Sequence, residues 1–232
     1  MSDIEAIWKR ILKDIYNKGH YHKKDDAEIK EILNISGFID NPLSEVAPNY
    51  NMFNKNQYID FLKNGIFNID GYEIKNEALA NYVQALDDDK QIFLKNDDDF
   101  IYTYPERLQN YLNTNQLNII IDRLKENSGS NRAVAVLYSP NLDRNREHIP
   151  CLNWMQGLIR DNSLYLSVMF RSNDIYNAFP SNMYFISYIG LTLLEELKKT
   201  YPSLKFEGIY YQCSSAHYYT EFDDDVSKII ML

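Results

Sequence analysis

Glycine is scarce in this chain, with eight in 232 residues. None of them builds a glycine-rich phosphate loop or a dinucleotide fingerprint, so both of those nucleotide-binding devices are absent. Cysteine is scarcer still: two residues make no disulfide framework. No apolar run approaches the ~20 residues of a membrane span. The start, MSDIEAIWKRILKDIY, lacks both an apolar signal core and a small-residue cleavage site. The expectation is a cytoplasmic, reducing setting in which thiols stay free, with no membrane partner. Positive charge is also short, with 24 Lys and Arg against 33 Asp and Glu and a net charge of -9. That balance argues against duplex nucleic acid as a partner. No His/Cys set has zinc spacing, and the acidic runs match no calcium loop, so no metal is expected.

What is present fits one α+β domain spanning residues 1–232. Ile4, Ile7, Trp8, Ile11, Leu12 and Ile15 recur at helical spacing, which predicts an amphipathic first helix. Residues 17–26 read as a polar turn and 27–35 as a short helix. NQYIDFLKNG and NEALANYVQALDDD also read as helices. From Tyr104 a helix is expected to run on through QLNIIIDRLKEN until SGSN stops it. The pattern then changes. RAVAVLYSP, SLYLSVMFRSND and FEGIYYQCSSAHYYTEF are strand-like, and a long apolar helix, NMYFISYIGLTLLEELKKTYP, lies between the last two. Residues 1–99 are thus expected to be mostly helical, and 100–222 to carry the chemistry.

Several residue types in the second half invite a chemical reading. Cys151 follows Pro150, with Arg144, Arg146 and His148 upstream, a setting that suits a reactive thiol. Cys213 has only aromatic and small polar neighbours and reads as structural. Arg171 beside Ser172 pairs a guanidinium fork with a hydroxyl donor, which suits a phosphate. Arg132 and Arg107 are further anion ligands by type, although Arg107 also reads as a helix-surface residue. Asn182 offers an acceptor and a donor, the complement of a uracil edge, but it could equally cap the helix that follows. His217 and Tyr219 are two apart on a strand and so share a face on which a sugar hydroxyl could sit.

The order of these residues is more specific than any one of them. Pro150-Cys151, then Arg171-Ser172-Asn173-Asp174, then Pro180-Ser181-Asn182, then His217-Tyr218-Tyr219 resembles the thymidylate synthase family's Pro-Cys, Arg-Ser-x-Asp, Pro-x-Asn and His-x-Tyr. Ser130-Asn131-Arg132 resembles its Ser-Arg-Arg segment, with Asn131 replacing the first arginine. Tyr104-Pro105-Glu106-Arg107 resembles its Tyr-Gly-x-Arg, with Pro105 where glycine is usual. The match runs from about residue 100 to 222.

The resemblance implies a large mixed β-sheet flanked by helices, with two sheets packed across a homodimer interface. It implies a pyrimidine nucleoside monophosphate as substrate and 5,10-methylenetetrahydrofolate as one-carbon donor. Cys151 would be the thiolate that adds to C6 of the base. Tyr104 would serve proton transfer at C5. Arg171 would stabilise the thiolate and bind phosphate with Ser172. Asp174 would hold the pyrimidine, Asn182 would read its edge, and His217 with Tyr219 would hold the ribose. Arg132 would reach the partner subunit's phosphate. The implied reaction is methylation of dUMP at C5. A hydroxymethylase acting on dUMP or a cytidine nucleotide, and a non-catalytic nucleotide-binding homologue, are the alternatives. Two departures stand out. Gln57 occupies the place of the family's general-acid glutamate, leaving Asp60, Glu45 or Glu77 as substitutes. The segment Gly37–Asn49 supplies no phosphate arginine.

Overall fold

The computed structural model describes residues 3–24, 26–42, 104–146 and 148–231, and the backbone of 66–69 and 72–75. The helices expected in NQYIDFLKNG and NEALANYVQALDDD, together with Glu45, Gln57, Asp60 and Glu77, lie outside the described residues.

Helix α1 (Ile4–Lys18) buries the six apolar residues that its spacing picks out. Asp3 caps it by accepting from Ala6 N at 2.7 Å, and the chain leaves helical geometry at Gly19. Next come two strands, β1 (His20–Lys24) and β2 (Ala27–Ile39), paired antiparallel. This corrects the expected turn and short helix. Ile29, Ile32 and Leu33 have helical spacing, but the segment is rich in β-branched isoleucine. It also carries a left-handed Asn34 (φ 54°) and lies along a long partner strand. Short strands β3 (Ile66–Ile69) and β4 (Tyr72–Lys75) form a separate hairpin.

Helix α2 (Tyr104–Gln109) and helix α3 (Gln116–Glu126) are two elements, not one. Consecutive left-handed residues, Leu112 (φ 51°) and Asn113 (φ 62°), turn the chain between them, and Asn115 caps α3. After β5 (Val134–Val136) and the single turn α4 (Pro140–Asp143), β6 (Leu152–Arg160) and β7 (Ser163–Asp174) form a hairpin. Its turn uses Asp161 and Asn162, both at positive φ, as a tight hairpin turn needs. Helix α5 (Phe179–Lys198) then crosses back to β8 (Lys205–Tyr219), which pairs parallel with β7. Helix α6 (Asp223–Met231) opens on three aspartates, where the helix dipole favours them.

The sheet order is β1-β2-β8-β7-β6-β5, mixed parallel and antiparallel. One face is covered by helices: the cross-strand row Ala135, Met155, Val168 and Tyr211 is fully buried. The adjacent row, Val136, Trp154 and Met169, faces the other way, where Val136 and Met169 are 44% and 40% exposed. Among the described residues no helix is long and apolar enough to cross a membrane.

Candidate active site

Apart from Arg132, the expected site residues gather at one end of β7 and β8. The carbonyl of Cys151 accepts from the Arg171 N–H at 2.8 Å, which fixes the cysteine at the mouth of β6 beside β7. The Arg171 side chain then folds over the same loop. Its Nε donates to Pro150 O at 3.0 Å, and its Nη2 to Ile149 O at 2.8 Å. That Nη2 also lies 3.7 Å from the half-buried Cys151 sulfur. One guanidinium thus holds the backbone of the cysteine loop and faces its thiol. On the other side, buried Tyr104 accepts from Leu152 N at 3.1 Å through its hydroxyl. The residue next to Cys151 is therefore tied to α2.

Asp174 is a structural centre of the turn into α5. Its carboxylate accepts from Asn177 N at 3.0 Å and from Asn177 Nδ2 at 2.9 Å. Just beyond it, Ile175 N donates to His217 O, and Ile175 O accepts from the Trp8 indole at 2.7 Å. Helix α1 thereby anchors the strand end that carries the site. Asn182 sits inside α5, its N–H bonded to Ala178 O, so the capping reading does not hold. Its Nδ2 donates to Asn173 Oδ1 at 2.9 Å.

His217 is almost wholly buried. Its Nδ1 lies 3.5 Å from Ser172 Oγ, and its ring meets Tyr219 edge-on. Its Nε2 lies 3.3 Å from Lys24 Nζ, which also donates to the Tyr219 hydroxyl at 3.4 Å. Burial first, and then the Lys24 cation, hold the His217 pKa below its ordinary value. Lys24 was not foreseen. It reaches the site because the β1–β2 hairpin extends the sheet from β8, with Glu31 of β2 opposite His217.

Three further residues were singled out in the sequence. Arg107 is neither an anion ligand nor a surface residue. It is buried, paired with Asp143 at 2.6 Å, bonded to Leu137 O and stacked on Tyr111. Arg132 is exposed and outside the cluster. It lies two residues before β5, whereas Cys151 directly precedes β6, whose first residues pair near the other end of β5 at Val136. Cys213 is buried, and that burial pushes its thiol up to about 11, in keeping with a structural reading.

A sequence profile described as "Thymidylate synthase" matches residues 49–231. The chain belongs to the thymidylate synthase family. Similar proteins named "Putative thymidylate synthase" include one from Methanococcoides burtonii, 29% identical over 229 residues, which covers 98% of this chain and 91% of that protein. One from Methanosarcina mazei is 29% identical, with 98% and 92% covered. A third, from Methanocaldococcus jannaschii, is 36% identical over 138 residues, 56% of this chain and 60% of that protein. The family's chemistry is one-carbon transfer to C5 of a pyrimidine nucleotide, with methylenetetrahydrofolate as cosubstrate.

Proposed function

We propose that this thymidylate synthase family member methylates dUMP at C5. The observation that carries the reading is the Cys151 sulfur, half-buried at a strand mouth with the Arg171 guanidinium 3.7 Å away. A thiolate there adds to C6 of the pyrimidine, and the electron pair moves to C5 and the C4 carbonyl. C5 would then bond to the one-carbon unit and lose its proton, that electron pair would expel the folate nitrogen to leave an exocyclic methylene, and hydride (methyl product) or water (hydroxymethyl product) would add to the methylene as the sulfur leaves C6. Methylenetetrahydrofolate supplies the one-carbon unit and, for a methyl product, the hydride.

The chain's own groups bind and orient the nucleotide. Arg171 holds the cysteine loop and turns its charge towards the thiol and the substrate phosphate. Ser172 adds a neutral donor to that phosphate. Asp174 keeps the β7–α5 turn in place under the base. His217, kept neutral, and Tyr219 hold the sugar hydroxyl, with Lys24 between them. Asn182 reads the base edge. Tyr104, whose hydroxyl accepts from the backbone beside Cys151, serves proton transfer at C5. Residues 1–232 act as one domain, and a homodimer completes the site through Arg132, whose exposed place outside its own cluster favours service to the partner.

The test is product mass. Incubation with dUMP and methylenetetrahydrofolate is expected to yield a nucleotide heavier by CH2. A product heavier by CH2O identifies water capture and a hydroxymethylase, and an unchanged nucleotide rejects the catalytic reading.

A further inference from the structure

Behind Asn182 lies a chain of hydrogen bonds with no place in the roles above. Asn182 Nδ2 donates to Asn173 Oδ1 at 2.9 Å. Asn173, 2% exposed, donates through Nδ2 to the Tyr211 hydroxyl at 3.0 Å. The Cys213 side chain neighbours the Tyr211 hydroxyl and, after burial, helps hold its pKa well above the ordinary value. Cys213 Sγ donates to the backbone carbonyl of Ser215 at 3.2 Å. Tyr211 is fully buried, with Phe170 (5.6 Å between ring centroids) and Phe179 (5.0 Å, edge-on) against its ring.

Four members of this relay, Asn182, Asn173, Tyr211 and Cys213, can face either way. A hydroxyl rotates, and a carboxamide can exchange its donor and acceptor ends. The last member cannot, because a carbonyl oxygen only accepts. With the Cys213 S–H spent on Ser215 O, the sulfur is left as an acceptor for the neighbouring Tyr211 O–H. The Tyr211 oxygen then accepts from Asn173 Nδ2, and Asn173 Oδ1 from Asn182 Nδ2. Polarity passes from one backbone carbonyl to the amide at the base edge. Asn182 is left with its Oδ1 and one N–H, an acceptor beside a donor. A uracil edge offers N3–H and O4, the match to that pair. A cytosine edge offers N3 and an amine, the match to the inverted amide.

We infer that Asn173, Tyr211 and Cys213 are positioning residues that fix the amide direction of Asn182 and so set the preference for a uracil over a cytosine nucleotide. The inference rests on Asn182 reading the base, as proposed above. Without Asn173 or the Tyr211 hydroxyl, the Asn182 amide is free to invert, and discrimination falls while the fold and the phosphate contacts remain.

Binding of dUMP and dCMP, measured by calorimetry without the one-carbon donor, tests this. The wild type is expected to favour dUMP by about tenfold or more, the size of one well-made pair of base-edge bonds. Asn173→Ala is expected to bring the two affinities within about threefold, chiefly by strengthening dCMP binding. Tyr211→Phe keeps the ring contacts, removes the hydroxyl and is expected to fall between; it reads the relay even if Asn173→Ala fails to fold. Cys213→Ser, which preserves a donor and an acceptor, should keep the wild-type ratio. Folded Asn173→Ala and Tyr211→Phe proteins with an unchanged ratio would overturn the inference and leave the base-reading role intact. A wild type that binds neither nucleotide, or both equally, would remove its footing.

Discussion

A guanidinium has five N–H donors, and what it does with them separates the three arginines of this account. Arg171 places its Nε and Nη2 on two carbonyls of the cysteine loop and still faces the sulfur. Arg132 stays in solvent. Arg107 is buried, and it satisfies the equally buried Asp143, which also accepts from Ser139 N and lies 3.9 Å from Arg146. Removing the cation alone leaves a carboxylate in a dry place. Arg107→Met is therefore expected to cost about 3 kcal/mol in urea unfolding, at the lower end for a broken buried pair because the Ser139 N–H and Arg146 remain. The double variant Arg107→Met/Asp143→Asn is expected to recover part of that loss; a single variant as stable as the wild type would show the pair to be idle. Cys151, Arg171, Ser172 and His217 could be picked out in advance because each is of a type the proposed chemistry requires. Arg107 and Asn173 could not be read that way. Their roles depend on partners 36 and 38 residues away, and no local pattern records such a partner.

Elements bring these residues together, and legibility differs among them for a physical reason. Helix α1 was readable because its apolar spacing serves a single buried face, and helix α5 and strands β7 and β8 because long apolar or alternating runs mark them. The β1–β2 hairpin was not. Its first strand, HYHKK, is mostly exposed and is held by backbone pairing, so it leaves no apolar trace. Its second strand mimics helical spacing and is decided by β8, about 180 residues further on. The cost of that misreading was Lys24. The turn between α2 and α3 was hidden for a related reason: Leu112 and Asn113 adopt left-handed geometry without a glycine to announce it.

At the scale of the whole molecule, helices cover one face of the sheet, and among the described residues the other face carries a ring cluster of Phe38, Tyr165 and Tyr210, with Phe38 and Tyr210 centroids 4.5 Å apart, beside the exposed Met169 and Val136. An apolar sheet face of this kind suits a second copy of the same sheet. The double variant Met169→Asp/Tyr210→Asp is expected to sediment as a monomer where the wild type sediments as a dimer. It is also expected to lose at least tenfold in activity if Arg132 serves the partner, since removing a charge-assisted phosphate contact costs about 1.5–3 kcal/mol. A wild type that sediments as a monomer would contradict the shared site.

The central claim, a transient bond from the Cys151 sulfur to a pyrimidine ring, is met most directly by tritium release from C5 of labelled dUMP in the presence of methylenetetrahydrofolate. The account predicts release by the wild type, and none above background by a folded, nucleotide-binding Cys151→Ser protein. Release by Cys151→Ser at the wild-type rate would contradict it.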